Sequence, residues 1–412
     1  MGGRRLPKGE SDRYGSGVAC GCDPSAGAIV LFYAYVPLVD PAAVISRLRL
    51  ACERGGVTGK LRVAAEGING TAAGPDAGVD ALIRALETDP EPALAAAAKT
   101  LDYKREPGCA HLFPAGLSVR LVPEIVPFGR PVAVPDANPR GASDDVPSTS
   151  ASSAARVEHL DPRAFHREII AAAEHAAHPS STSDAPPLVL DVRNYYESRV
   201  GRFDRATLAP IRRFSQLPEW CEAHPELFRG RRVLMYCTGG IRCEKAARWL
   251  AASETCAPAS VAQLRGGVAA YARDVARVTE AKTTTTTEAE AEMRNRRREM
   301  KHRSSFLGAN FVFDARGLVR VTDDVVAWCD GCGVAADRLG TCASVGCHKI
   351  LVVCRSCERK DAKVRCCAAC AAQDSESETR GEEATGRRRR RRAPCDCDGY
   401  ASRERRLRPR AE

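Results

Sequence analysis

Cys237-Thr-Gly-Gly-Ile-Arg242 sets one thiol where the apolar run Val233–Tyr236 gives way to a helix-forming stretch, Cys243–Leu250. A short turn holding Gly239 and Gly240 can aim successive backbone N–H groups at a single sulfur. The start of the following helix adds positive potential, and Arg242 adds a full cation. All three favour the thiolate, which is the nucleophilic form of cysteine. A cysteine that merely fills a core needs neither the paired glycines nor the arginine. Cys237 is therefore read as an activated nucleophile, with Arg242 as its catalytic cation and Thr238, Gly239, Gly240 and Ile241 as its cradle. Cys243 either resolves oxidised sulfur or caps the helix.

A second concentration of chemistry is the string Cys329, Cys332, Cys342, Cys347, Cys354, Cys357, Cys366, Cys367 and Cys370. Cysteines two residues apart can put both sulfurs on one ion inside a tight turn, with Zn–S bonds of about 2.3 Å. Gly331 and Gly333 supply the backbone freedom. Eight thiolates make two closed tetrahedral zinc sites, which leaves Cys366 or Cys367 spare, and His348 is an alternative ligand. One pairing is crossed, Cys329/Cys332 with Cys354/Cys357 and Cys342/Cys347 with Cys367/Cys370; a sequential pairing fits equally well. Closed four-cysteine sites are structural, holding a segment too small to build its own core. An iron–sulfur cluster is the alternative occupant.

The Cys237 segment resembles the active-site loop of the rhodanese (sulfurtransferase) family, whose loop cysteine carries sulfur as a persulfide. Leu188–Glu197 with Gly201-Arg-Phe-Asp204 looks like that family's early strand and Asp-x-Arg element, and Gln263–Val268 like its late strand and Gly-Gly turn. Asp191 and Arg193 are then expected to support the loop by an ion pair or backbone hydrogen bonds. The wider chain resembles one subfamily, the bacterial-type tRNA uridine hydroxylases. The segments that carry this likeness are Ala65–Thr71, Glu124–Val126, Asp191–Asn194, Cys237–Ala246, Leu264–Gly267, Asn310–Asp314 and the cysteine string. The resemblance implies oxygen-dependent hydroxylation of the wobble uridine of tRNA at carbon five, with molecular oxygen as co-substrate and Cys237 as the active cysteine. No flavin or nicotinamide fingerprint is present.

These motifs need elements to hold them. Residues 1–27 read as a disordered leader. From 28 to 129, strand–helix–strand–strand–helix–strand order argues for an α+β ferredoxin-like domain. Its strands are Ile29–Val36, Lys60–Ala64 and Ser118–Val122, its helices Pro41–Cys52 and Val79–Leu86, and Gly67–Gly70 is read as a turn. A Pro/Ser/Ala-rich linker occupies 130–156. The rhodanese domain, 157–278, carries short continuous apolar strands, which suit a parallel sheet covered by helices on both faces. A low-complexity insertion at 279–305, the Cys-rich zinc-binding segment at 306–371 and a disordered Arg-rich tail at 372–412 complete the chain.

The 412 residues carry a formal charge of +10, but Arg387–Arg392 alone supplies six of those charges, so net charge is weak evidence for nucleic acid. Lys60, Arg62, Lys104 and Arg105, near Gly-rich turns, are the candidate tRNA-binding residues. No apolar run is long enough to span a bilayer, and the start of the sequence lacks a secretory core, so a cytoplasmic address is expected. The 19 cysteines then read as metal-binding and catalytic thiols rather than a disulfide framework. Three functions follow: the wobble-uridine hydroxylase, a persulfide-forming sulfurtransferase acting on thiol acceptors, and a non-catalytic zinc/RNA-binding adaptor.

Overall fold

A computed structural model describes residues 20–23, 26–132, 157–177, 185–280, 304–344, 347, 349–359, 363–372 and 400–407. Most of the expected linker, the bulk of the low-complexity insertion, His348 and the Arg387–Arg392 run lie outside the described residues.

Strand β1 (Gly27–Tyr35) is apolar at every other position in both phases, so both its faces are covered. Val30, Phe32 and Ala34 face a core with Val44, Leu48 and Cys52 of helix α1 (Pro41–Arg54) and Val79, Leu82 and Leu86 of helix α2 (Asp76–Glu87). The i, i+4, i+8 spacing on α1 makes that stripe, and Asp40 starts the helix by accepting the Ala43 N–H at 2.9 Å. Tyr33 and Tyr35, on the opposite face, pack with Ala64 and Ile125. Strands β2 (Thr58–Ala64), β3 (Gly67–Pro75), β4 (Lys104–Pro107) and β5 (Leu117–Leu121) complete a sheet of order β4-β1-β3-β2-β5, with the short helix α3 (Pro92–Ala98) beside α2.

The first four strands have the expected ferredoxin-like order, with two corrections. The fourth strand is Lys104–Pro107, whereas Leu117–Leu121 adds a fifth at the opposite edge, parallel to β2. Gly67–Gly70 lies inside β3, and the hairpin turn is Ala65–Glu66. These glycines are present for close approach: a Cβ on Gly67 would meet the Ala34 carbonyl at 2.0 Å, and one on Gly70 the Phe32 ring at 2.5 Å.

The second sheet is wholly parallel, in the order β6-β11-β10-β7-β9, from β6 (Val157–Leu160), β7 (Leu188–Asp191), β9 (Thr207–Leu208), β10 (Arg232–Tyr236) and β11 (Ser260–Leu264). Alternation divides its side chains. Leu188, Leu190, Val233 and Met235 pack beside helices α6 (Leu217–Glu222) and α7 (Ile241–Ala251). Val189, Leu234 and Ala262 pack beside α4 (Pro162–Ala177) and α8 (Gly267–Glu280). Between β7 and β9 lie helix α5 (Tyr195–Val200) and strand β8 (Gly201–Phe203).

Strand β8 is where the C-terminal segment attaches. Strand β12 (Phe306–Phe311) runs antiparallel to β8 on one side and to β13 (Leu318–Arg320) on the other. The cysteine string follows, around the hairpin β14 (Leu339–Thr341)–β15 (Ile350–Val352) and the short helix α9 (Arg355–Arg359). The expected disordered tail contains a helix, α10 (Tyr400–Leu407). Two of its arginines have specific acceptors: Arg403 is buried and donates to the Pro210 carbonyl, and Arg406 reaches Asp330 and the Cys366 carbonyl.

Candidate active site and metal centres

Cys237 directly follows β10 and is fully buried. The Gly240 N–H donates to its Sγ at 3.1 Å. Burial by itself would raise this thiol. The Cys243 side chain, the Arg242 charge and the backbone N–H groups of Cys243 and Gly240 outweigh it and bring Cys237 down to about 5. Cys243 is pushed the other way, by burial and then by its hydrogen bond to Cys237, so it keeps its proton and donates to the thiolate.

The rest of the loop is clasped from behind. The first amides of α8 bind its carbonyls, Val268 N–H to Cys237 O at 2.9 Å and Ala269 N–H to Thr238 O at 3.0 Å. Gly267, with φ +63°, permits this: a Cβ there would lie 2.5 Å from the Cys237 carbonyl. Thr238 donates to Glu197 at 3.0 Å, and Arg242 spans both Glu197 oxygens at 2.7 Å and the Thr238 hydroxyl at 2.9 Å. Arg242 thus reaches Cys237 as charge, while its hydrogen bonds go to Glu197 and Thr238. Asp191 accepts two bonds from the Arg193 guanidinium, at 2.9 and 2.7 Å, and one from the Tyr236 hydroxyl at 2.8 Å. Arg193 continues to the Gly201 carbonyl at 2.6 Å, where β12 pairs with β8. Burial opposes the Asp191 charge, but Arg193 holds its carboxyl below the usual range.

The N-terminal domain closes over the loop. A Cβ on Gly239 would meet Leu31 at 2.9 Å, and one on Gly240 the Tyr33 hydroxyl at 2.8 Å, so β1 lies directly on the paired glycines. Tyr35 donates to the Ile241 carbonyl at 3.2 Å. Lys245, buried on α7, bonds Glu66 at 2.9 Å and Glu124 at 2.6 Å. Glu66 also accepts the Ile125 N–H, and Asn69 donates to the Ile125 carbonyl, so both residues act as ties as well as lying near a turn. Sequence reading missed Glu197, Lys245 and the β1 face. Their partners are distant in the chain, and only the lone buried-type charges within apolar segments signalled them.

A cleft of about 540 Å³ opens between the three units. Thr238, Gly239, Ile241 and Arg242 form one wall, with Lys60, Arg62 and Lys104 from the N-terminal sheet and Arg212 and Arg213 from the rhodanese domain. Tyr33, Phe113, Tyr196, Phe214 and Phe313 supply aromatic surface. Three of the four candidate tRNA-binding residues therefore converge beside the loop. Arg105 does not: strand alternation turns it to the other face, where it pairs with Asp76 and Asp80. Lys104 is buried, which lowers its ammonium, and sits 3.1 Å from Asp102.

Two tetrads in the cysteine string each bring four sulfurs within 4.8 Å of one another: Cys329, Cys332, Cys354 and Cys357, and Cys342, Cys347, Cys366 and Cys370. The crossed pairing is the one formed, with Cys366 in place of Cys367. Cys366 Sγ lies 3.0 Å from Cys370 Sγ and 3.8 Å from Cys347 Sγ, whereas Cys367 stands outside the tetrad. Four converging thiols in each group fit a closed tetrahedral metal site.

A family model described as "UPF0176 acylphosphatase like domain" matches residues 27–125, and one described as "Rhodanase C-terminal" matches 307–371. A tRNA uridine(34) hydroxylase of Cytophaga hutchinsonii is 28% identical over 335 residues, 81% of this chain and 86% of its own. A protein of the same name from Bacillus pumilus is 28% identical over 81% of this chain and 84% of its own. That of Agrobacterium fabrum is 35% identical over 54% and 59%. The chain is similar, over four fifths of its length, to the tRNA uridine(34) hydroxylases. This likeness and the three-part fold agree with the sequence reading. Among the described residues no helix is long and apolar enough to cross a membrane.

Proposed function

We propose that this rhodanese-family protein hydroxylates the wobble uridine of tRNA at carbon five, with dioxygen as co-substrate and Cys237 as the nucleophile. The observation that carries the proposal is a thiol lowered to about 5, set behind a cleft lined by basic and aromatic side chains. The relatives' shared name supports the same reading. An anticodon loop offers unpaired bases that can be splayed into such a cleft, with phosphates left to the lysines and arginines at its rim. The tRNA substrate also favours the cytoplasmic address.

The Cys237 thiolate adds to carbon six of the uracil, forming a C–S bond and sending the ring π pair toward carbon five and the carbon-four carbonyl. Dioxygen takes up that pair at carbon five. One oxygen stays there, and the other leaves as water with two electrons and two protons from two molecules of a small thiol, which end joined as a disulfide. Loss of the carbon-five proton then expels Cys237 and restores the ring. Arg242 and the Gly240 N–H keep the sulfur ionised for the first step and receive it in the last. Lys60 and Arg62 hold the RNA backbone, while Lys104, buried beside Asp102, adds positive charge to the cleft wall. The two cysteine tetrads hold structural zinc, which supplies fold and no reaction step.

A second reading, persulfide sulfurtransfer, draws on the same lowered thiol and its cradle of N–H groups, which suit a persulfide anion equally. Nucleoside mass spectrometry of tRNA from cells lacking this protein, complemented with the wild type or Cys237→Ser, separates the two. Loss of the carbon-five hydroxylated wobble nucleoside, restored by wild type alone, supports the hydroxylase. Unchanged wobble nucleosides with thiosulfate-to-cyanide transfer by the purified protein favour the sulfurtransferase.

A further inference from the structure

Cys20, Cys22 and Cys109 are scattered in the sequence, and the first two fall in a span read as a disordered leader. In the fold they converge. Cys20–Asp23 lies against the connection after β4, and one donor atom from each of Cys20, Cys22, Cys109 and His111 falls within 4.8 Å of the others. Cys20 Sγ is 3.6 Å from Cys109 Sγ, Cys22 Sγ is 3.3 Å from His111 Nδ1, and Cys109 Sγ is 3.9 Å from that nitrogen.

Those separations have a metric meaning. A tetrahedron with metal–sulfur bonds of about 2.3 Å has sulfur–sulfur edges of about 3.8 Å, and replacing one sulfur by nitrogen shortens its edges to about 3.6 Å. The observed edges bracket these values, and they match those of the tetrads, where Cys332 and Cys354 are 3.5 Å apart. A disulfide is a different geometry, since its sulfurs stand at about 2.0 Å. The ligands come as two close pairs, Cys20-x-Cys22 and Cys109-x-His111, from segments far apart in the chain. Such a cross-link is what a structural zinc provides.

We infer that Cys20, Cys22, Cys109 and His111 form a third, structural zinc site of the three-thiolate, one-imidazole type. It staples the chain ahead of β1 to the β4–β5 connection. The need for a staple is visible beside it. Ile29, Ala73, Leu112 and Phe113 form a core of only four buried residues, too few to fix this connection unaided. Phe113 is also part of the cleft wall, so the metal fixes a surface that faces the candidate active site.

Metal analysis of the full chain, purified under reducing conditions, tests this inference. Wild type is expected to hold three zinc ions per chain, one for each ligand group. Cys20→Ser/Cys22→Ser should lose one and retain the other two, and His111→Cys, which keeps four ligands, should retain all three. Cobalt substitution gives a second readout that does not depend on removing ligands. His111→Cys should shift the ligand-field bands of one cobalt toward a four-thiolate spectrum. Two zinc ions in wild type, an unchanged count in the double variant, or a cobalt spectrum indifferent to His111→Cys would each overturn the inference.

Discussion

Both terminal nitrogens of Arg242 rest on the two carboxylate oxygens of Glu197, 2.7 Å away, with Glu197 fully buried and Arg242 nearly so. The pair joins the helix after the active loop to helix α5, and Thr238 closes the triangle. Removing one member of a buried pair strands the other, at a cost of about 3–5 kcal/mol. Glu197→Gln is therefore expected to lower the thermal midpoint markedly. Glu197→Leu/Arg242→Met should recover much of that loss, because no charge is left unpaired. The double variant should nonetheless raise the Cys237 midpoint, since the cation is gone. Equal Cys237 titration in both backgrounds would show that Arg242 acts on the loop by shape alone.

The pH dependence of Cys237 follows from its environment. A thiol held at about 5, against roughly 8.5 in an unfolded chain, favours the folded state fully above the unfolded value. That contribution declines with falling pH and is gone once the folded value has been crossed. Alkylation by iodoacetamide, followed on the Cys237 peptide by mass spectrometry, should run at a constant rate above about pH 6 and fall about tenfold per unit well below pH 5. Cys243→Ala removes a hydrogen bond to the thiolate, so the midpoint should rise. A Cys237 midpoint near 8 in wild type would remove the basis of the proposed chemistry.

Paired glycines in the loop answer to two different obstacles. At Gly239 the obstacle is the Leu31 side-chain end, which can move, and Gly239→Ala should regain activity when combined with Leu31→Ala. At Gly240 the backbone itself, at φ +102°, disfavours any side chain, costing about 1–3 kcal/mol. Tyr33→Phe should therefore fail to rescue Gly240→Ala. Activity in Gly240→Ala is expected to drop by about a hundredfold, because misplacing a reacting group by an ångström has effects of that order. Rescue by Tyr33→Phe would show that only the hydroxyl, 2.8 Å from the added carbon, mattered.

What the sequence disclosed follows a physical pattern. The nucleophile loop, the parallel strands and the paired cysteines are local: their spacing along the chain is the property that performs the chemistry. Helix α1 was legible for the same reason, through Pro41 at its start. Glu197, Lys245 and the Cys20–His111 group act through partners that lie 45, 121 and 89 residues away, and no local period records them. Gly67 and Gly70 misled because glycine serves turns and close backbone approach alike; Ala34 and Phe32 decide between them, and both belong to a different strand. The tail misled because its arginine-rich composition suggests disorder, whereas the Pro210 carbonyl and Asp330 are particular acceptors for Arg403 and Arg406.

Lys245 carries the last prediction. It is buried, and its ammonium bonds Glu66 and Glu124 of the N-terminal domain while its own helix starts at the active loop. Lys245→Met keeps the stem and removes the charge, which leaves two carboxylates facing each other at the seam. The loss should be about 3 kcal/mol, felt chiefly as separation of the two domains. Hydrogen exchange should quicken at Ile125 and Phe128, whose N–H groups are held by Glu66 and Glu124. Burial opposes the Glu124 charge, but Lys245 and the Phe128 N–H hold its carboxyl below the usual range. Its contribution is thus complete above the unfolded carboxylate value, about 4.3, and disappears as pH falls through the lower folded value. Wild-type protection at this seam should accordingly be lost in acid, while Lys245→Met should show weak protection at every pH. Equal protection in the two proteins at neutral pH would mean that β1 packing alone, through Leu31, Tyr33 and Tyr35, holds the domains together.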